Sequence, residues 1–147
     1  MTGGEGPSGL WHFVVPAFGT LWAVVVDVMD HEIPDRIPIG VTLWAIGAEW
    51  LGWLPFSWSS LVLGFATALI AGAIGFGFHC LGGGDVKLLA ALGASVGWSA
   101  VWSLLFWTAL AGGLFGLIAA WRRERDLAFA PAIAVGLAAV LLMEVLG

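Results

Sequence analysis

The chain has 147 residues, of which 61% are hydrophobic and only 10% are charged, and its mean hydropathy is +1.01. This apolar content exceeds what one small core can hide from water, so we expect lipid to cover the excess. Packed helices satisfy their backbone hydrogen bonds internally where water is absent, which favours an all-α polytopic membrane protein. The formal net charge of −5, with only five Lys and Arg residues, excludes nucleic-acid binding.

Apolar segments near the roughly 20 residues that cross a hydrocarbon core predict one domain, residues 1–147, built as a bundle of about six transmembrane helices. The apolar run from Val86 to Trp121 is too long for one span, so we expect it to turn back around Gly97, Trp98 and Ser99. In chain order, the predicted spans are 10–28, 37–52, 61–78, 86–98, 101–121 and 128–145.

The basic residues predict the orientation of this bundle. All five lie in or directly beside its first, third and fifth loops: Arg36, Lys87, Arg122, Arg123 and Arg125. Cytoplasmic loops are enriched in Lys and Arg, so these loops are predicted to be cytoplasmic and both termini extracytoplasmic. The first apolar stretch has no basic residue before it, unlike a signal peptide, and we expect it to be retained.

The first predicted span ends in an acidic segment. Asp27 occupies an unfavourable position, because a carboxylate at a helix C-terminus faces the negative end of the helix dipole and loses hydration near hydrocarbon. The alternative is an ordinary loop acid outside the membrane. Asp30, Glu32 and Asp35 follow in the same loop, and Pro34 restricts the turn into the second span.

The fourth predicted span begins with an acid after three glycines. Asp85 follows Gly82, Gly83 and Gly84, where a short side-chain oxygen suits the helix N-cap. Capping does not explain the glycines, which cost conformational entropy and are useful where backbone bends sharply or approaches something closely. Lys87 either acts on Asp85 or anchors the helix at the interface, and the anchor is the favoured interpretation.

Two acids in loops on the same predicted face can meet at the mouth of a helix bundle. A pair of carboxyl groups that shares a site holds one proton near neutral pH. The ionised member can activate water while the protonated member donates to a carbonyl oxygen, so a hydrolase without a metal or other cofactor becomes possible. His31 and His79 flank the two acids, but their spacing matches no familiar metal-ligand pattern. Cys80 is expected to be buried.

Three segments carry a resemblance to a known family. Residues 82–93 read Gly-Gly-Gly-Asp-Val-Lys-Leu-Leu-Ala-Ala-Leu-Gly, Asp27 stands seven residues before Pro34, and residues 127–134 form an apolar segment that contains a proline. They resemble the second catalytic motif, the first motif and the start of the final span of the type IV prepilin peptidases. These are membrane aspartic proteases of the Gly-x-Gly-Asp class.

The resemblance implies an aspartic endopeptidase whose catalytic pair is Asp27 and Asp85, with Gly82 and Gly84 shaping the approach of Asp85 and Pro34 belonging to the first motif. It implies a prokaryotic plasma membrane, with cleavage near the cytoplasmic face. The implied partners are prepilin or pseudopilin precursors, which carry a short basic leader ending in glycine and then an apolar helix.

Two further features bear on this resemblance, namely the acidic loop and the length of the chain. Asp30, Glu32 and Asp35 could attract a basic leader, although a solvated acidic loop is the favoured interpretation. Larger family members carry an additional cytosolic domain with paired cysteines, which methylates the new N-terminus. With 147 residues and one cysteine, this chain is expected to be a short form without that domain.

Three alternatives stay open. A proton- or ion-coupled membrane subunit would use the same acids as a relay, but it predicts acids nearer the membrane midplane. A purely structural assembly protein leaves the glycines before Asp85 unexplained. An intramembrane protease of the presenilin type shares the Gly-x-Gly-Asp element, but it pairs its first aspartate with a tyrosine, and this chain has no tyrosine.

Overall fold

The computed structural model describes residues Leu10–Gly147, and within that range the chain is helical, without strands. This confirms the predicted all-α fold. A 3₁₀ helix at Leu10–Phe13 leads into five α-helices: α1 (Val14–Asp30), α2 (Arg36–Trp50), α3 (Trp58–Gly77), α4 (Gly83–Arg122) and α5 (Ala130–Leu146).

Three helical stretches are long and apolar enough to cross a membrane: Leu10–Asp30, Trp58–Gly77 and Gly83–Arg122. Large apolar side chains on the outside of the bundle, such as Phe18 and Leu117, are mostly exposed, as expected where lipid is the solvent. The chain is therefore an all-α membrane protein. The count of six spans and the common side of both termini stay predictions, and residues 1–9 lie outside the described residues.

Helix α4 is broken in the middle. Gly97 has φ 75° and ψ 177°, a conformation that glycine adopts readily and other residues rarely do. The break gives a first arm (residues 83–96) and a second arm (residues 98–122), and Ser60 holds it by accepting a 2.8 Å hydrogen bond from the Trp98 N–H. Leu89 and Leu105 from the two arms line one cavity. The arms thus lie side by side, with the break where the sequence predicts a turn.

The first arm of α4 is the central helix of the bundle. Residues 88–97 are all buried, as expected for a helix that is apolar on every face. It packs closely on α3, because a Cβ added to Gly64 or Gly93 would collide with the carbonyl oxygen of the other. Gly72 packs on Val86 in the same interface. This packing fixes the N-terminus of α4, and with it Asp85.

Helix α5 joins the second arm of α4 to α1. Gly136 of α5 lies against Leu104 and Thr108 of the second arm. Ile133, one turn earlier, is fully buried in the main core together with Ala23 of α1. The beginning of α5 consequently lies beside the end of α1, at the site described next.

Candidate active site

Asp27 lies in the last turn of α1 and is only 5% exposed. Its Oδ2 atom accepts a 3.0 Å hydrogen bond from the backbone N–H of Ala130, the first residue of α5. The helix ends at His31, which adopts a left-handed conformation and donates its N–H to the Asp27 carbonyl oxygen at 2.9 Å. Asp27 is thus held at the carboxylate by a remote helix and at the carbonyl by its own helix end.

Asp85 lies in the first turn of α4 and is 7% exposed. The prediction that it is the N-cap is wrong: Gly82 is the N-cap and Asp85 is the third residue of the helix. From there its Oδ2 atom reaches back and accepts a 3.0 Å hydrogen bond from the Gly82 N–H, as in half of a capping box. Its buried Oδ1 atom has no hydrogen-bond partner within residues 10–147.

The three glycines before Asp85 have different surroundings. A Cβ on Gly84 would lie 2.9 Å from the Ile33 Cβ atom and 3.1 Å from the Ile33 carbonyl oxygen. A Cβ on Gly82 would lie 3.2 Å from Asp85 Oδ2, whereas a Cβ on Gly83 would meet nothing within 4 Å. Because they have no side chain, Gly82 can lie close to the Asp85 carboxylate and Gly84 can lie close to Ile33 in the α1–α2 loop. The position between them tolerates a side chain.

The two aspartates line one cavity of about 250 Å³, together with residues 31–33 and the glycines 82–84. We call it the carboxylate cavity. Its polar lining and its volume suit several water molecules, since each occupies about 30 Å³ in the liquid. The structure thus brings both predicted acids to a common space that can hold the nucleophile of a hydrolysis.

A larger cavity of about 780 Å³ lies on the other side of Asp85, between α3, the two arms of α4 and the start of α5. We call it the apolar cavity. Leu89, Leu105 and Phe129 contribute to its lining, and Gly82 and Asp85 line both cavities. Asp85 therefore stands at the junction of the two.

Of the remaining predicted site residues, some line the carboxylate cavity and others lie elsewhere. Glu32 lines the carboxylate cavity, whereas Asp30 and Pro34 are exposed and lie outside its lining. Asp35 forms an ion pair with Lys87, with 2.6 Å between Oδ1 and Nζ, and both side chains are more than half exposed. Lys87 thus contacts Asp35, not Asp85, and the two line a separate groove along α2.

Some features of the site are absent from the sequence-based predictions. Ala130 supplies the hydrogen bond to Asp27, and no local pattern points to it. Cys80, expected to be buried, is exposed in the α3–α4 loop and lines the apolar cavity. Within residues 10–147, no group of three or more His, Cys, Asp or Glu side chains is arranged to hold a metal ion.

Two comparisons with known proteins point to one family. Residues 14–117 match the model of the type IV leader peptidase family. The chain is similar to a prepilin leader peptidase/N-methyltransferase of Burkholderia pseudomallei strain 1026b, with 36% identity over 160 aligned residues that cover 92% of this chain and 48% of the relative. A protein of the same name from Pectobacterium carotovorum subsp. carotovorum is 31% identical over 86% of this chain and 49% of the relative.

A third protein of that name, from Bacillus subtilis strain 168, is 33% identical over 76% of this chain and 47% of its own length. The chain spans about half the length of the curated relatives it matches. No solved structure matches the chain.

Proposed function

The chain belongs to the type IV leader peptidase family. We propose that it is a membrane aspartic endopeptidase that removes the basic leader peptide from prepilin-like or pseudopilin precursors. We place the cleavage at the cytoplasmic face of a prokaryotic plasma membrane. One observation carries the proposal: Asp27 and Asp85, two buried acids from helices far apart in the chain, line one cavity that can hold water.

The chemistry follows from two carboxyl groups that share one proton. The ionised member takes a proton from water as the water oxygen attacks the scissile carbonyl carbon, and the protonated member donates to the carbonyl oxygen. The tetrahedral intermediate collapses when the C–N bond breaks: the leaving amine takes a proton from the pair and a hydroxyl group of the intermediate returns one, so the pair again holds one proton. Asp85 Oδ1, which has no partner within residues 10–147, is free to contact the water or the carbonyl oxygen.

The substrate leader is proposed to lie at the carboxylate cavity. Glu32 adds a third acid to its lining, and its charge suits a basic peptide. Of the three loop acids that could attract the leader, Glu32 is the one that lines this cavity, since Asp30 lies outside it and Asp35 is paired with Lys87.

The test is to produce the chain together with a prepilin and to follow removal of the leader by the shift in mass on a gel. Asp27→Asn and Asp85→Asn keep the side-chain shape and an oxygen acceptor, but an amide cannot shuttle the proton. Each should lower the rate by about 10² to 10⁴-fold. Asp126→Asn is the matched control, because Asp126 is an exposed acid in the α4–α5 loop, outside both cavities.

Normal cleavage by either Asn variant at position 27 or 85 would refute the assignment of that residue to the catalytic pair. A wild-type chain that leaves prepilin intact, yet conducts protons across vesicles in a manner that depends on both acids, would support the ion-coupled alternative instead.

A further inference from the structure

The two cavities that meet at Asp85 have opposite character. The carboxylate cavity is small and is lined by three acids, Asp27, Glu32 and Asp85. The apolar cavity is about three times larger, at about 780 Å³ against about 250 Å³. Its lining is mainly apolar and comes from α3, α4 and residues 127–129, with His79 and Thr108 among its polar members. Besides Asp85, the residue in its lining with a permanent charge is the cation Arg125.

From this contrast we infer the direction in which a substrate passes through the site. The basic leader lies at the carboxylate cavity, and the apolar residues that follow the cleaved bond lie in the apolar cavity. This inference rests on the proposed peptidase function. A basic leader is attracted by Glu32 and repelled by Arg125, while an apolar segment matches the apolar walls.

The junction between the cavities supports this placement. Asp85 is more than nine-tenths buried and lines both cavities, and its Oδ1 atom lacks a partner within residues 10–147. A buried carboxylate oxygen without a partner is costly unless something binds it. A peptide that spans the junction would place its scissile carbonyl, or the attacking water, beside that oxygen.

Glycines of the second arm leave the space in the apolar cavity. A Cβ on Gly112 would collide with the ring of Phe129, so this glycine serves packing between the second arm and residue 129. Cβ atoms on Gly113 and Gly116 would meet nothing within 4 Å, although both residues line the cavity. Gly113 and Gly116 therefore determine how large a side chain the cavity accepts after the cleaved bond.

The first test compares two prepilins that differ only in the residues directly after the cleaved bond, one with alanines and one with phenylalanines. Gly113→Leu and Gly116→Leu should slow cleavage of the phenylalanine substrate at least about tenfold more than that of the alanine substrate, as expected when a pocket is filled. Gly47→Leu is the control: Gly47 lies in α2, its Cβ would also meet open space, and it lines neither cavity. It should change neither rate.

The assignment of the apolar cavity would be overturned if the two leucine variants cleaved both substrates at the wild-type rate. It would also be overturned if they unfolded at the normal temperature but lost the same fraction of their cleavage rate on both substrates. A wild-type chain that cleaves neither substrate would instead overturn the proposed function, so the two failures are distinguishable.

A second test leaves Gly113 and Gly116 unchanged and decides the matter if the leucine variants do not fold. Cys80 is the single cysteine of the chain and lines the apolar cavity. In the inactive Asp27→Asn protein, treated with an added thiol oxidant, a substrate cysteine within the first few residues after the cleaved bond should form a disulfide with Cys80. A cysteine in the leader should instead crosslink to position 32 in an Asp27→Asn, Cys80→Ser, Glu32→Cys protein. The reverse pattern would overturn the inferred direction.

Discussion

The two acids of the site are held in different ways. Asp27 accepts a hydrogen bond from the Ala130 N–H of another helix, 103 residues away, and this bond is buried. Asp85 accepts its hydrogen bond from Gly82, three residues earlier, at a partly exposed helix start. The hydrogen bond of Asp27 thus depends on how α5 packs beside α1, whereas the hydrogen bond of Asp85 forms within the start of one helix. We therefore expect substitution of either acid to abolish activity, but the two substitutions should lower the free energy of unfolding by different amounts.

Alanine substitutions separate these two roles. Asp27→Ala leaves the Ala130 N–H buried without an acceptor and should lower the free energy of unfolding by about 1–3 kcal/mol. Asp85→Ala should cost less than about 1 kcal/mol, because Gly82 is exposed and water can replace the carboxylate. Both variants should lose peptidase activity. Denaturation of the purified proteins in detergent, monitored by circular dichroism, gives the two values.

Asp27→Asn is the control for this comparison, because its amide oxygen can still accept from Ala130 and should restore stability but not activity. A larger loss of stability in Asp85→Ala than in Asp27→Ala would contradict the contrast drawn between the two acids.

The glycines before Asp85 offer a smaller and more local perturbation. Gly84→Ala forces a methyl group against Ile33 and should cost about 1–2 kcal/mol of unfolding free energy, with reduced cleavage because the α1–α2 loop moves from Asp85. Gly83→Ala meets no atom within 4 Å and serves as the matched control, with stability and cleavage near the wild type. Cleavage that falls equally in both variants would show that any side chain in this segment, and not contact with Ile33 in particular, impairs the site.

The ion pair between Lys87 and Asp35 should have the smallest effect. Both side chains are more than half exposed, so a double-mutant cycle with Lys87→Met and Asp35→Asn should give a coupling free energy of about 0–1 kcal/mol that falls as salt is added. Cleavage that depended strongly on Lys87 but not on Asp35 would instead indicate a direct action of Lys87 on the catalytic acids.

The fold was largely predictable because apolar runs of the right length mark the helices. The helix bounds in the structure differ from the predicted spans by a few residues, and the break in α4 lies at Gly97, inside the predicted turn. The start of α4 was missed because glycine is a poor helix former, so the pattern predicts a loop through Gly84, whereas the helix begins at Gly83. The strong packing of the first arm on α3 outweighs that local preference.

At the site, the identity of the two acids could be predicted but their partners could not. Asp27 and Asp85 stand out locally, because each is a costly residue at the end of an apolar helix. The bond from Ala130 and the pairing of Lys87 with Asp35 join residues that are distant in the chain, and single-sequence patterns contain no information on such contacts. The exposure of Cys80 was missed for the same reason, since it depends on how the α3–α4 loop lies against the rest of the bundle.

The hydrogen bond from Ala130 to Asp27 also determines when the site can form during synthesis of the chain. A ribosome that has just made α1 has not yet synthesised the donor, which follows 103 residues later. During membrane insertion the first acid therefore has its carboxylate unanchored, and it gains its final geometry only when α5 joins the bundle. A growing chain that lacks α5 therefore cannot yet hold the Asp27 carboxylate as the complete bundle does.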